Sequence, residues 1–321
     1  MSKNLFISDF MNTISDKLKE ERNLSDPSVK LYLRQLTTLN DNESFKNLNF
    51  LKKVDDILEK LKDYKENTKK SYLSAIEAVL SLFKKNKQSL KLYETYKGLL
   101  EEKKKDYNDK DKNEANEKEQ DNWLSLEEIK KTKDDLLEGL YEKKSITATE
   151  WNKLLRAFLI SLYTDLLPRR NQDYLLCFIT KKSKKDDNKD LNYLVLDENK
   201  FVFNKYKTSK SAGQQIIEFG NNDSFKRILN LYLKHHPLFK KSKGLIPLLV
   251  DSKGVPPTTP NWITKLLNKT FKKKVGSSLL RKIYLTSKYG DQLEKLKEMK
   301  EDAKKMGHST GAQQGIYIKN I

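Results

Sequence analysis

Residues 101–121 read EEKKKDYNDKDKNEANEKEQD, a stretch with one aromatic residue and no aliphatic residue larger than alanine. Such a segment cannot contribute to a hydrophobic core, and it is typical of a linker or of a helix without a buried face. Domains commonly contain about 100–200 residues, and this chain has 321. We therefore predict two domains, at residues 1–100 and 123–321, joined by a charged linker at residues 101–122.

The residues before the linker repeat apolar side chains at the three- and four-residue spacing of amphipathic helices. The clearest sets are Phe10, Ile14 and Leu18; Val54, Ile57, Leu58 and Leu61; and Tyr72, Ile76, Val79 and Phe83. Ser25-Asp26-Pro27 predicts a further helix start, because a side-chain oxygen can cap the helix and proline suits its first turn. The first domain is therefore predicted to be a helical bundle.

The residues after the linker predict helices, then a small sheet, then helices again. Capping-box spacings open two of the helices: Ser125 with Glu128, and Thr147 with Glu150. Three segments predict an antiparallel sheet: residues 192–196, 201–203 and 215–219. Later helices are predicted from Asp223 or Ser224, from Thr259-Pro260, and around Leu279, Leu280 and Ile283. The predicted fold class is mainly α with a small antiparallel β-sheet, an α+β chain.

The composition excludes several classes of protein. The single cysteine, Cys177, rules out an intramolecular disulfide framework and any cysteine-rich metal site, and it suits a reducing compartment. Cys177 lies in an apolar run and is predicted to be a buried small hydrophobe. No run approaches the ~18 apolar residues of a membrane span, and residues 1–9 lack the pattern of a signal peptide. We expect an intracellular protein.

The charge balance favours a polyanionic partner. The chain has 64 Lys and Arg against 45 Asp and Glu, a formal charge of +19. Such a field attracts DNA or RNA, although abundant lysine also serves solubility. Four cations lie on predicted helices of the first domain and are candidates for phosphate contact: Lys30, Arg34, Lys69 and Lys70. An ordinary solvated face explains these four equally well.

Four short motifs carry the candidate chemistry. Residues 306–317, MGHSTGAQQGIY, place His308 directly after a glycine and nine residues before Tyr317. The other motifs are Ser278-Leu-Leu-Arg281, the pair Lys207-Thr208 at the end of a predicted strand, and LLPRRNQD at residues 166–173. In this order the motifs resemble those of the tyrosine recombinase (phage-type integrase) family. The pair His235 and His236 precedes Pro237 and is predicted to end a helix, because its spacing is not that of a metal site.

The resemblance implies a role for each residue that matches a family motif. Tyr317 would be the nucleophile, Arg170 and Arg281 would hold the scissile phosphate, and His308 would donate a hydrogen bond to it. Lys207 matches the family's catalytic lysine in a β-hairpin loop. Lys205 and Lys210 are alternative candidates, but the pair Lys207-Thr208 fits the motif best.

Three positions leave an alternative open. Arg169 is the neighbouring candidate for Arg170, and Asp173, three residues after Arg170, is predicted to orient it. Ser278 stands where the family usually has a histidine. The sequence does not identify which residue takes over the role of that histidine.

The resemblance also implies binding partners, and it leaves alternative functions to consider. It predicts a helical core-binding domain and a catalytic domain that close around duplex DNA, with four protomers on two DNA sites. Neither a cofactor, a metal nor ATP is expected, since the protein–DNA ester conserves the bond energy. The alternative functions are those of a type IB topoisomerase, of an inactive DNA-binding member of the fold, and of a basic RNA-binding or structural protein. The Lys and Asn bias suggests a virus or mobile element, and hence the cytoplasm or nucleus of a host cell.

Overall fold

The structure is a computed structural model that describes residues 8–84, 87–109, 115–183, 188–240 and 244–312. The chain divides into two compact units, Met1–Glu114 (unit 1) and Ala115–Ile321 (unit 2). The boundary falls inside the segment predicted to be a linker, although helices extend into that segment from both sides. The first of them is anchored by apolar residues that precede the charged stretch, among them Tyr93, Tyr96 and Leu100.

Unit 1 is a helical bundle, as predicted. Its described helices are α1 (Asp9–Glu20), α2 (Asp26–Leu39), α3 (Val54–Leu61), α4 (Glu66–Leu80) and α5 (Lys87–Asp109), with short 3-10 helices at Asn49–Lys52 and Ser81–Phe83. Helix α4 packs against α2 and α5, and its residues Ile76 and Val79 are fully buried. The predicted start at Ser25 is confirmed, because α2 begins at Asp26 with proline in its first turn.

Unit 2 is built around one buried helix. Its described helices are α6 (Glu117–Asn122), α7 (Leu126–Leu137), α8 (Ala148–Thr164), α9 (Asn171–Leu175), α10 (Ser209–Ala212), α11 (Asp223–His235), α12 (Pro260–Phe271), α13 (Ser277–Tyr289), α14 (Leu293–Lys305) and α15 (Thr310–Ala312), with a 3-10 helix at Gly290–Gln292. Helix α8 is buried along most of its length and contacts α7, α11, α12 and α13. Both predicted capping boxes are confirmed, at the starts of α7 and α8.

The described strands of unit 2 form one sheet in the order β4-β3-β2-β1-β5. The strands are β1 (Cys177–Thr180), β2 (Asn192–Val195), β3 (Lys200–Phe203), β4 (Gln215–Glu218) and β5 (Ile246–Pro247). The predicted antiparallel sequence β2-β3-β4 is confirmed. The sheet as a whole is mixed, because β1 pairs parallel with β2 and antiparallel with β5. The expectation of a purely antiparallel sheet was wrong. Strand β1 lies in a continuous apolar run, residues 174–179, that does not distinguish a strand from a buried helical segment, and β5 has only two residues.

Aromatic rings join the helices of unit 2 to its sheet. Phe158 of α8 stacks on Tyr232 of α11 with ring centroids 4.0 Å apart. Phe201 and Phe203 of β3 are fully buried and belong to the same hydrophobic core. Cys177 is 1% exposed, and burial raises the pKa of its thiol, as its predicted place among apolar residues implies.

His235 and His236 end α11, as predicted. The ring of His236 lies edge-on to Trp151 and to Tyr232, with centroid distances of 5.7 and 5.5 Å. Burial lowers the pKa of His236 to about 4, so its imidazole is neutral at neutral pH. It is a packing residue of the core.

Among the residues that the structure describes, no helix combines the length and apolar character needed to cross a bilayer.

Candidate active site

Arg170 stands at the start of α9, in a turn that its neighbour Asn171 fixes to two helices. The Asn171 side chain is buried, and its Oδ1 accepts a hydrogen bond of 2.5 Å from the Tyr163 hydroxyl of α8. Its Nδ2 donates to the Pro260 carbonyl at 3.2 Å and to the Thr264 hydroxyl at 3.0 Å, both in α12. The backbone of Arg170 is therefore held in place, while its side chain is half-buried at the edge of the unit.

The side chain of Arg169, the alternative candidate, packs against core residues of unit 2. Its guanidinium lies over the rings of Phe203 and Tyr206, 4.4 and 4.5 Å from their centroids. Its Nε donates to Asp173 Oδ2 at 3.0 Å, with Asp173 almost fully buried. The carboxylate of Asp173 thus pairs with Arg169 instead of Arg170, which corrects the predicted orienting role. The i,i+4 spacing on the turn places these two side chains on one face.

Burial of the Arg169–Asp173 pair removes water from the charged Asp173 carboxylate, which is unfavourable. Burial raises the pKa of the Asp173 carboxyl, and the positive charge of Arg169 opposes that rise. Among the described residues, neither Nη2 of Arg169 nor Oδ1 of Asp173 has a hydrogen-bond partner. Arg169 is the larger source of charge compensation for this carboxylate, and the charge and backbone N–H contact of the Arg170 turn add to it.

Lys207 lies in the connection between β3 and β4, as the predicted hairpin requires. Its side chain is exposed, in the turn just before α10. The preceding Tyr206 is buried, and its hydroxyl donates to the Gly213 carbonyl at 2.6 Å, which closes the loop. Lys207 is therefore an exposed cation on a loop whose base is anchored.

Sequence reasoning missed Asn192, the first residue of β2. Its side chain is fully buried, and its amide bonds both to α9 and to the loop that carries Lys207. A polar residue at the head of the apolar run Tyr193-Leu194-Val195 was the available signal, because a buried amide in a strand requires specific partners.

Arg281 is half-buried on α13, next to the buried residues Leu280 and Ile283. Burial raises the pKa of the Tyr163 phenol well above its usual value, and the charge of Arg281 opposes this. Helix α13 contacts α8, and the Tyr163 hydroxyl of α8 binds Asn171 in the turn of Arg170. Ser278 is exposed in the first turn of α13, three residues before Arg281 and on the same side of the helix.

The residue before His308, Gly307, lies just after α14 and has a left-handed backbone conformation, which favours glycine. Gly307 has φ +75°, a conformation that costs other residues about 1 kcal/mol. The Gly307 and His308 N–H groups donate to the carbonyls of Lys304 and Ala303, at 3.2 and 3.0 Å. These contacts form a Schellman motif and fix the backbone at His308. They do not join His308 to the arginines, and Tyr317 lies outside the described residues.

The predicted cations differ from their close neighbours in how they are paired. Three neighbouring cations bind carboxylates: Arg169 binds Asp173, Lys205 binds Asp190, and Lys282 binds Glu119. Arg170, Lys207 and Arg281 form no ion pair with any residue in the described ranges. Within the described ranges, the three motifs thus each contain a cation that forms no ion pair.

The three residues are positively charged, and each is at least partly accessible to solvent. Guanidinium groups donate bidentate hydrogen bonds to phosphate oxygens and remain protonated, whereas a lysine ammonium can also release its proton. Within the part of the chain that the structure describes, no three His, Cys, Asp or Glu side chains converge as metal ligands do. The chemistry of the described site is that of Arg170, Arg281 and Lys207.

Two of the four candidate cations of unit 1 are exposed on α2, Lys30 and Arg34. Next to Arg34, Gln35 Nε2 donates to the Ser71 hydroxyl of α4 at 2.8 Å. This contact brings the segment of α4 that carries Lys69 and Lys70 beside α2. Lys69 binds Glu66 at 2.9 Å, a carboxylate that it shares with Lys103 at 3.2 Å.

Comparisons with protein-family models, with curated proteins and with solved structures found no match to this chain.

Proposed function

We propose that the chain is a site-specific DNA recombinase, an integrase that cleaves and rejoins duplex DNA through a 3′-phosphotyrosyl intermediate. The observation that carries the proposal is the pairing pattern: in the part of the chain that the structure describes, Arg170, Lys207 and Arg281 form no ion pair. A cation one or two residues from each of them binds a carboxylate. An unpaired cation at the edge of a fold is available to an anionic ligand, and the motif order makes that ligand a DNA phosphate.

The reaction balances without an external co-reactant. The oxygen of Tyr317 attacks phosphorus, its proton passes to a nearby base, and the bond from phosphorus to the 5′-oxygen breaks. Arg170 and Arg281 neutralise the additional negative charge of the pentavalent transition state, with His308 donating a hydrogen bond. Lys207 gives its proton to the departing 5′-oxygen. A 5′-hydroxyl of another strand then reverses these steps and releases the tyrosine.

The excess charge supports binding of duplex DNA by both units. A net charge of +19 suits a protein that replaces many counterions along the phosphate backbone. Strand exchange requires two sites and therefore several protomers, for which we propose a homotetramer on paired DNA sites.

Arg34→Ala should weaken binding to a short random-sequence duplex. Loss of one phosphate contact lowers the slope of log K against log salt concentration by about 0.9. Fluorescence anisotropy titrations at several salt concentrations measure that slope. Lys69→Ala is the matched control, because Lys69 already binds Glu66 and the slope should change less. Equal changes in the two variants would contradict the assignment of Arg34 to the DNA surface.

The decisive test is a covalent adduct. A pool of duplexes with random sequence around a single nick is incubated with the protein in EDTA. The short fragment released by cleavage diffuses away and leaves the protein attached to DNA. Wild type should give a denaturant-resistant adduct and Tyr317→Phe should give none. If no pool member yields a Tyr317-dependent adduct, the proposed function fails. Relaxation of supercoils by a monomer, without exchange between two sites, would favour the topoisomerase.

A further inference from the structure

Asn192 uses its whole side chain to join the turn of α9 to the loop that carries Lys207. Its Nδ2 donates to the Asp173 carbonyl at 2.8 Å and to the Lys205 carbonyl at 2.9 Å. Its Oδ1 accepts from the Asn204 and Lys205 N–H groups, at 2.9 and 2.8 Å. An amide has two donor hydrogens and two acceptor lone pairs, so all four are in use.

A second contact joins the same two segments independently. Arg169, one residue before Arg170, lies over Tyr206, one residue before Lys207, with its guanidinium carbon 4.5 Å from the ring centroid. The turn of Arg170 and the base of the Lys207 loop therefore meet both through the Asn192 amide and through this stack.

We propose that Asn192 is a positioning residue that sets the Lys207 loop relative to Arg170, an inference that rests on the proposed function. The phosphate bound by Arg170 and the proton carried by Lys207 must meet at one leaving oxygen. Lys207 itself is exposed and has no ion pair among the described residues to hold it. The carbonyl and N–H of Lys205, two residues earlier, are the part of the loop that Asn192 fixes.

Asparagine suits this position better than similar residues. Aspartate has the same shape but donates no hydrogen bond when ionised, so it would leave the carbonyls of Asp173 and Lys205 unpaired. Alanine loses all four bonds. Glutamine keeps the amide but carries it one methylene farther, which displaces the loop.

The test separates loss of the general acid from loss of phosphate binding. A duplex selected from the nicked pool is synthesised twice, once with the natural bridging 5′-oxygen and once with sulfur in its place. A thiol has a pKa near 8.5, so the sulfur leaves without needing a proton from Lys207. Any variant that impairs only proton delivery should therefore cleave the sulfur duplex at close to the wild-type rate.

On the oxygen duplex we expect Lys207→Ala to slow single-turnover cleavage by about 10²–10⁴-fold. Asn192→Ala should slow it by about 10–100-fold, as loss of an outer hydrogen-bond partner commonly does. Both variants should approach the wild-type rate on the sulfur duplex. An Asn192→Ala variant that is equally slow on both duplexes, or as fast as wild type on the oxygen duplex, would overturn the proposal.

Asn204→Ala is the matched control. Asn204 lies in the same loop and its side chain makes two bonds, to the Leu191 carbonyl at 2.9 Å and from Gln214 at 2.6 Å. Neither bond reaches α9, so this variant should cleave within a few-fold of wild type on both duplexes. If Asn192→Ala fails to fold, Asn192→Gln is used in its place. We expect this variant, too, to approach the wild-type cleavage rate on the sulfur duplex.

Hydrogen exchange gives a reading that is independent of DNA cleavage. Asn192→Ala should speed exchange of the Asn204 and Lys205 amides and of the following residues up to Ala212, and leave α13 unchanged. If the wild type yields no adduct, the proposed function fails and exchange alone decides the anchoring role. Unchanged exchange at Asn204 and Lys205 would then refute it.

Discussion

Arg170→Ala should lower the rate of adduct formation by about 10²–10³-fold, the usual cost of removing one donor to transition-state charge. The melting temperature should stay at its wild-type value, because the half-buried side chain has no ion pair in the described ranges. Single-turnover trapping on a nicked duplex measures the rate, and thermal denaturation measures the stability. Arg170→Lys should recover only part of the rate, since lysine keeps the charge but not the bidentate fork.

Lys181→Ala controls for the general effect of removing a surface cation from unit 2. Lys181 is exposed directly after β1, and its loss should change the rate by no more than a few-fold. An Arg170→Ala variant that cleaves as fast as Lys181→Ala would show that Arg170 does not bind the scissile phosphate.

Arg169→Ala, one residue away, should instead destabilise the fold. Removing one partner of a buried ion pair costs about 3–5 kcal/mol in the free energy of unfolding, because the other charge is left uncompensated. That charge is Asp173, and the stack of Arg169 on Phe203 and Tyr206 is lost as well. Chemical denaturation of the variant and the wild type measures the difference.

The cost of Arg169→Ala should depend on pH in a defined direction. Burial already raises the pKa of Asp173, and loss of the guanidinium raises it further. A carboxyl with a higher pKa in the folded than in the unfolded state favours folding at low pH, and this benefit is lost as pH rises through the folded pKa. The difference from wild type should therefore be smaller at acidic than at neutral pH.

Removing both members of the pair tests the explanation. The double variant Arg169→Met with Asp173→Leu should be more stable than Arg169→Ala, because no buried charge is left alone. A double variant less stable than Arg169→Ala would contradict this account of the pair.

The secondary structure followed from the sequence wherever local chemistry decides it. The capping boxes at Ser125 and Thr147 and the proline after Asp26 mark helix starts by local hydrogen bonding and backbone geometry. The parallel pairing of β1 was not predictable, because β1 shares one continuous apolar run, residues 174–179, with the end of α9, and such a run does not distinguish a strand from a buried helical segment.

The candidate site was predictable by residue type but not by partner. Nothing in PRRNQD says which arginine faces the core, since this depends on Phe203 and Tyr206, more than thirty residues away. The same holds for Asn192, whose four bonds reach two segments separated from each other by about thirty residues. Side-chain pairing across the fold, and not local propensity, determines which cations remain available for a ligand.

The most direct test of the central claim is to locate the protein–DNA bond. The trapped adduct is digested with protease and nuclease, and the modified peptide is sequenced by mass spectrometry. We expect a nucleotide attached through its 3′-phosphate to the oxygen of Tyr317. Attachment to a different residue, or through a 5′-phosphate, would contradict the assignment of Tyr317 as the nucleophile.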